Sequence, residues 1–557
     1  MSRRIKKYHR YDIDTISVLL FLLSFCVMAL VFTFVDGSDA MYYSGFPFIL
    51  GALLGTESFV SSYGFIEEQM ASRLSHNKWS NAMVLLRSLL LLACVRGIVF
   101  FMLFFVFAEP ICAALFSNRM IAPVLRTFVP SYILFSFIGC MMGFLRGMGK
   151  KQKARTSLWL ETTLFFLLGL CLGFFSSYRG EMVGSLLQNE EMRAIYCGCG
   201  MAAGLDIASI ITLIYLSVSC YLESSQYRYD KNERDMYLED TLQTENVGEL
   251  FQYCLIKLLP EDIPVCLFYL GILIGFQSWI QTQQDTAFVI ITSVWGSFMG
   301  IGLPLVVGLA LLLAFPFTAM TRKLAVDLYR GNRRTMRARL SIILRLSAYV
   351  GIPASAFMFG AAKEVVACFP NLTFKAQEAA ILSLKSGSFL IFLIQTSILL
   401  ILFFEDCDEK REVMYSMMAG FFAQVLAIVG IQFLDPGITI GAWSSDIFFV
   451  VFLLAMYLFG KKSLVRGLSP SWFGEDVLIA VCAAVSLIPV EWLNDYLIMV
   501  MSPYLALLVA WIIFTALYVL LSIIFRIADL KNLDRIPGGR WIVSFAILIG
   551  AASEEVE

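Results

Sequence analysis

Runs of about 20 apolar residues, enough to cross roughly 30 Å of hydrocarbon as helix, recur along the whole chain between short polar stretches. They predict fourteen membrane-spanning helices, over 13-35, 42-64, 84-108, 121-145, 155-177, 196-220, 256-280, 298-320, 338-361, 380-404, 413-433, 439-459, 476-496 and 500-526. The alternation over about ten residues that marks a transmembrane barrel is absent. The expected fold is therefore all-α and polytopic. The connections leave no room for a soluble domain, so the chain works within the bilayer or at its faces.

The longest polar stretch, 223-249, carries eight acidic and three basic residues and separates the sixth helix from the seventh. A solvated loop and a linker between two lobes fit that composition equally. Repetition favours the linker. Met70 to Leu74 (MASRL) is echoed by Met320 to Leu324 (MTRKL), and Arg155 to Phe166 (RTSLWLETTLFF) by Arg411 to Phe422 (REVMYSMMAGFF), at nearly the same displacement. Two echoes in the same order point to duplicated six-helix halves, a usual way to build transporters. The expected organisation is an amino-terminal lobe at 1-222, an acidic linker at 223-250, a second lobe at 251-465, and two appended helices with a tail at 466-557.

Composition agrees with the helix pattern, since 59% of residues are hydrophobic and 15% charged, with a mean hydropathy of +0.77. Cationic residues sort by connection. Arg3, Arg4, Lys6, Lys7 and Arg10 precede the first helix; Arg146, Lys150, Lys151, Lys153 and Arg155 fill the fourth-to-fifth connection; seven more lie between Arg322 and Arg339. The alternate connections hold two at most. Cationic loops stay cytoplasmic, which places both termini inside a cytoplasmic membrane. The apolar part of the first segment is too long for a signal peptide, and no small-x-small cleavage site follows it. The acidic linker is taken as cytoplasmic for the same reason.

The thirteen cysteines fall mostly in apolar runs, and Cys197 and Cys199 have no second pair at zinc-site spacing. Only two histidines occur, His9 and His76, both outside the apolar runs, which rules out a histidine site within the membrane. Asn371-Leu-Thr373 matches a glycosylation sequon, a pattern short enough to arise by chance. No metal, cofactor or nucleic-acid partner is expected. Membrane lipids are the expected partners.

The fourteen-helix 6+6+2 pattern, the Arg146-Gly147 helix end with its basic turn and re-entering Glu161, and the Pro304 helix leading into PFTAMTRKL resemble the multidrug/oligosaccharidyl-lipid/polysaccharide exporter (MOP) superfamily. Within it the chain is most similar to the polysaccharide-biosynthesis and stage V sporulation protein B group, whose carboxy-terminal tail resembles Asp529 to Gly539. The resemblance spans nearly the whole length. It departs at the basic turn, where Lys150, Lys151 and Trp159 intrude on the group's RGxxQG and Ser-Gln pattern. What it implies is a MATE-like pair of six-helix lobes around a central cavity, with two further carboxy-terminal helices. It also implies outward movement of polyprenyl-diphosphate sugars, with envelope-building proteins as partners and Na+ or H+ as coupling ions to consider. Related lipid II flippases place several arginines in their first two helices. This chain has none there, so that diphosphate clamp does not carry over.

Ionisable groups near the bilayer centre cost about 2.5–3.5 kcal/mol on insertion scales, so each needs a reason to be there. Glu57, Arg96, Glu161 and Asp206 are the candidate cavity and substrate residues. Glu57 and Arg96 lie on neighbouring helices and are plausible partners for each other; Arg96 reads as a structural pair or a phosphate ligand. Asp206 reads as a cavity group or as one satisfied by Ser or Thr hydroxyls. Glu161 sits near Arg155 and Lys153 and reads as a helix-end ion pair or as part of an inward gate with Arg146 and Arg155. Met417 stands at its echo position, so any such role is asymmetric. Lys385 and Asp446 are weaker candidates toward helix ends, while Arg87 and Arg345 read as anchors. The glycines and Pro304 of residues 296-308 allow bending or close packing.

The sequence therefore predicts a flippase or secondary transporter, not an enzyme, passing the head of a lipid-linked sugar by alternating access. A multidrug cation antiporter of the same superfamily is the first alternative. A polyprenyl-dependent glycosyltransferase using Asp36 and Asp39 is the second, and an envelope scaffold without transport the third.

Overall fold

The computed structural model describes residues 13–59, 63–75, 79–231, 246–282, 288–407, 410–433, 439–460, 471–525 and 527. A helix lies in each of the fourteen apolar segments, and no strand occurs among the described residues. The first half comprises α1 (Ile13–Asp36), α2 (Asp39–Glu57), α3 (Tyr63–Ser75), α4 (Trp79–Phe101), α5 (Ala108–Phe116), α6 (Ala122–Gly147), α7 (Lys151–Leu187), α8 (Glu191–Lys231) and α9 (Val247–Thr282). The second comprises α10 (Phe288–Ser297), α11 (Leu303–Ala314), α12 (Thr318–Tyr329), α13 (Arg333–Gly360), α14 (Ala362–Ala367), α15 (Phe374–Gly387), α16 (Leu390–Asp406), α17 (Lys410–Gln432), α18 (Ile440–Gly460), α19 (Ser471–Val500) and α20 (Pro503–Ile524). Two compact units result, Ser17–Leu270 and a second that joins the described residues from Gly271 onward to the first turn of α1, before Ser17.

Among the described residues, eleven helices are individually long and apolar enough to cross a membrane, and the bent pair α15 and α16 makes a twelfth. Three expected spans differ. The second divides between the 19-residue α2, whose helical turn runs on through Ser58 and Phe59, and α3, which carries Glu67, Glu68 and Arg73; residues 60–62 lie outside the described residues. The seventh lies in the 36-residue α9, whose sequence includes Lys257, Glu261 and Asp262, leaving Leu267–Gln281 as its apolar part. The tenth turns by 50° at Ser388-Phe389, where a Gly/Ser cluster weakens the helical ladder.

Several connections expected as loops are helical. α7 has 37 residues and α8 has 41, so α7 alone extends roughly 55 Å, well beyond the hydrocarbon. Gln188 ends α7 in the left-handed conformation, Asn189 N–H donates to the Gly184 carbonyl at 3.0 Å, and the Asn189 side chain accepts from Glu191 N–H at 3.0 Å to start α8. The acidic stretch is likewise helix through Lys231, and residues 232–245 lie outside the described residues. The seven-cation connection shrinks to Arg330–Asn332. Gly331 turns there with a positive φ of 78°, and Asp327 of α12 pairs with Arg339 of α13.

In the second unit, α11, α13, α15 and α16 enclose an apolar core around Ile301, Ala310, Met358 and Ile391. The eighth segment passes through a π-helical turn, Phe298–Gly302, between α10 and α11. Gly302 permits close packing on α15, because a Cβ there would lie 3.1 Å from Ser383 Cβ. The appended α19 and α20 dock on α13. Tyr349 and Ser522 share a hydrogen bond at 2.8 Å, and the Tyr518 hydroxyl donates to the Tyr349 carbonyl at 2.9 Å.

Candidate functional site

Six of the eight candidates lie inside the first unit, Glu57, Arg96, Glu161 and Asp206 with Arg146 and Arg155 of the basic turn, and the α7–α8 seam positions two of them, Glu161 and Asp206. On α7 the buried positions are Ala154, Ser157, Leu158, Glu161, Phe165, Gly169, Gly173, Ser177, Gly180 and Gly184, a stripe that repeats every three or four residues. Small residues let backbones meet: a Cβ on Gly204 of α8 would lie 2.5 Å from Gly169 Cα, and one on Gly180 would lie 2.6 Å from the Met192 carbonyl. Glu161 belongs to this stripe and is fully buried. The Ser209 hydroxyl of α8 donates to its Oε1 at 2.7 Å, and Thr212 faces the same carboxylate.

The expected pairing of Glu161 with Arg155 and Lys153 is not what the structure forms. Arg155 precedes Glu161 by six residues, which places the two about 120° apart around a helix of 3.6 residues per turn. Lys153 instead meets Glu223 at 2.6 Å.

Three residues before Ser209, Asp206 reaches α6. Its Oδ1 accepts from both the backbone N–H of Ser131, at 2.9 Å, and the Ser131 hydroxyl. Pro130 lies inside α6, and a mid-helix proline disturbs the ladder around it. Asp206 caps a donor at that disturbed turn. Next to it, the Tyr132 hydroxyl donates to the Pro47 carbonyl of α2 at 2.6 Å. Gly51 provides the room, since a Cβ there would lie 3.3 Å from the tyrosine ring.

Glu57 and Arg96 meet directly, Oε2 to Nη2 at 2.5 Å, with the guanidinium 5.4 Å from the Phe100 ring centroid. The carboxylate side chain is 2% exposed and the arginine 15%. Burial strengthens their attraction but also raises the penalty for separating them. Glu57, Arg96, Glu161 and Asp206 thus all have protein partners.

The basic turn is organised by two carboxylates that sequence reasoning did not single out. Glu67 of α3 accepts from Arg146 Nε at 2.6 Å and Lys151 Nζ at 2.5 Å; Glu223 of α8 takes Lys150 at 2.7 Å and Lys153 at 2.6 Å. Gly149, with φ of 81°, makes the turn, and Lys150 N–H returns to the Leu145 carbonyl at 2.9 Å. The available signal was the position of Glu67 and Glu223 on helices that flank the cation-rich turn in the chain. Arg146 is 5% exposed at its side chain, whereas Lys150 is 44% exposed. Arg146→Ala is therefore expected to lower thermal stability far more than Lys150→Ala, by about 3–5 kcal/mol for breaking a buried pair against about 0–1 kcal/mol for an exposed one. Unfolding curves of the two purified variants check this, and raised salt weakens only the lysine contribution.

In the second unit, Lys385 of α15 places its ammonium 5.6 Å from the Phe359 ring centroid. Asp446 of α18 is partly buried, and its Oδ1 has no hydrogen-bond partner among the described residues. Arg155 is partly exposed on α7. Asp36, one of the pair read as a transferase signature, accepts from Arg193 at 2.6 Å, while Asp39 opens α2.

The architecture defines a class: a multi-pass, all-helical membrane protein with the fold of the MOP-superfamily exporters. A solved structure described as lipid II flippase MurJ in an inward closed conformation aligns over 92% of this chain and 98% of its own, with a TM-score of 0.61 and 13% identity. An inward-facing multidrug resistance MATE family transporter of the MOP superfamily aligns over 80% of this chain and 96% of its own, with a TM-score of 0.52 and 14% identity. A MATE structure in the straight conformation covers 81% and 96%, with a TM-score of 0.51 and 15% identity. No family model and no curated protein matches the sequence.

Proposed function

We propose that the chain is a flippase of the cytoplasmic membrane that carries the polar head of a polyprenyl-diphosphate-linked sugar across the bilayer by alternating access. The observation that carries this reading is the extent of the fold match. The flippase structure covers 92% of the chain, against 80% for the MATE transporter at a lower TM-score. Mixed charge supports it further, because Arg96 pairs with Glu57 within the first unit and an anionic diphosphate can compete with that carboxylate for its guanidinium. Both termini are assigned to the cytoplasmic side on this reading, from the distribution of Lys and Arg. Any coupling ion is Na+ or H+.

Liposomes containing the purified protein distinguish the two transport readings. Accelerated crossing by a polyprenyl-diphosphate disaccharide, with no accumulation of an organic cation such as ethidium under an imposed Na+ or H+ gradient, is the expected result. Cation accumulation without sugar-lipid crossing would assign the multidrug antiporter reading instead.

A further inference from the structure

The outer face of α4 and α6 carries a groove of about 300 Å3, lined by Gly97, Ile98, Phe101 and Met102 of α4 with Ile133 and Phe137 of α6. Its wall is almost entirely apolar, and Ile98, Phe101 and Met102 are exposed. Gly97 is what brings the two helices together at its floor, since a Cβ there would lie 2.7 Å from Ile133 Cγ2. Beyond Met102 the α-helical ladder gives way to a π-helical turn, Met102–Val106. Such turns are rare and occur disproportionately at functional sites.

The groove leads to a cation. Phe101, in its wall, stacks on Phe105 with ring centroids 4.7 Å apart, and the Arg126 guanidinium stands 6.0 Å from the Phe105 ring centroid. Arg126 Nε donates to the Phe105 carbonyl at 3.2 Å. Arg126 precedes Ile133 by seven residues, two helical turns, so both lie on the same face of α6 about 10 Å apart. Arg126 also meets Glu109 at 2.9 Å, but with 36% and 53% of the two side chains exposed that pair is weak and open to exchange. A groove that accepts a hydrocarbon chain thus ends beside an exposed guanidinium, the group that best recognises a phosphate oxygen pair.

We infer that this groove is a binding site for an anionic phospholipid of the bilayer, with one acyl chain between α4 and α6 and the phosphate at Arg126. Arg96, next to Gly97 in the chain, turns instead to Glu57 and Phe100, and none of Glu57, Arg96, Glu161 and Asp206 lines the groove.

Native mass spectrometry of the full-length protein, titrated in detergent with dioleoylphosphatidylglycerol or dioleoylphosphatidylethanolamine, tests the site. The wild type is expected to retain the anionic lipid several-fold more strongly. Arg126→Gln should remove that preference while leaving a bound chain, and Ile133→Trp, which fills the groove, should reduce retention of both lipids. Ile98→Trp on the exposed wall provides a second blocked groove should Ile133→Trp fail to fold. Equal retention of the two lipids by the wild type overturns the proposal. So does an Arg126→Gln protein that keeps the full preference, or a folded groove-filled variant that binds like the wild type. Displacement of labelled phosphatidylglycerol by a polyprenyl-diphosphate sugar at concentrations far below those at which unlabelled phosphatidylglycerol displaces it would assign the groove to the transported lipid and overturn the proposal as well.

Discussion

Arg96→Met is expected to be among the most damaging single substitutions in the first unit, costing about 3–5 kcal/mol of folding free energy. The loss comes less from the missing attraction than from what remains, a Glu57 carboxylate that is 2% exposed and has lost the guanidinium at 2.5 Å. The double variant Glu57→Leu, Arg96→Met is then expected to recover most of the stability, because replacing a whole buried pair with apolar side chains of similar volume is often neutral or better. Thermal unfolding in detergent measures both. A double variant no more stable than Arg96→Met would show that the pair is not the reason for the arginine. A double variant that is stable but no longer moves its substrate would show that the pair is retained for transport.

The second large effect is expected at the α7–α8 seam. Gly204→Ala puts a Cβ 2.5 Å from the Gly169 Cα, so two backbones rather than a flexible side chain must give way. Forced overpacking of this kind costs about 1–3 kcal/mol or more. It also acts on function if the seam matters there, because Asp206 and Ser209 follow Gly204 closely on α8 and hold Ser131 of α6 and Glu161 of α7. Gly430→Ala is the matched control, since nothing lies within 4 Å of its added Cβ; it should be neutral or slightly stabilising from helix propensity alone. Equal unfolding temperatures for the two variants would mean that the helices are not sealed by their glycines.

Much of this architecture was legible in the chain. Hydropathy located a helix in every segment, because a backbone in hydrocarbon must satisfy its own hydrogen bonds and helix is the local way to do so. It was less informative about where helices end. α7 and α8 continue past their apolar parts to a turn at Gln188 and Asn189, since leaving the membrane does not require the ladder to stop. The bend at Ser388-Phe389 was missed because a hydropathy average runs through it.

The candidate residues were legible by type and depth, but their partners were only partly so. The Glu57–Arg96 pair could be anticipated from two opposite charges on neighbouring helices. Glu161 could not be paired correctly from distance along the chain, since Arg155 points around the helix and Ser209 lies across the seam. Its true environment was nevertheless written in the glycines that follow it on the same face of α7. Glu67 and Glu223 escaped notice because acidic residues among other charges in a polar stretch look like ordinary solvated charge until the turn at Gly149 folds the lysines onto both.

The most direct test of the flippase reading follows a polyprenyl-diphosphate disaccharide in liposomes containing the purified chain, using an impermeant glycosidase outside the vesicles to remove sugars as they emerge. Protein should make the protected inner pool available to the enzyme, while a labelled phosphatidylcholine in the same vesicles keeps its protein-free rate of crossing. An inner pool that stays as protected as in protein-free liposomes would contradict the account.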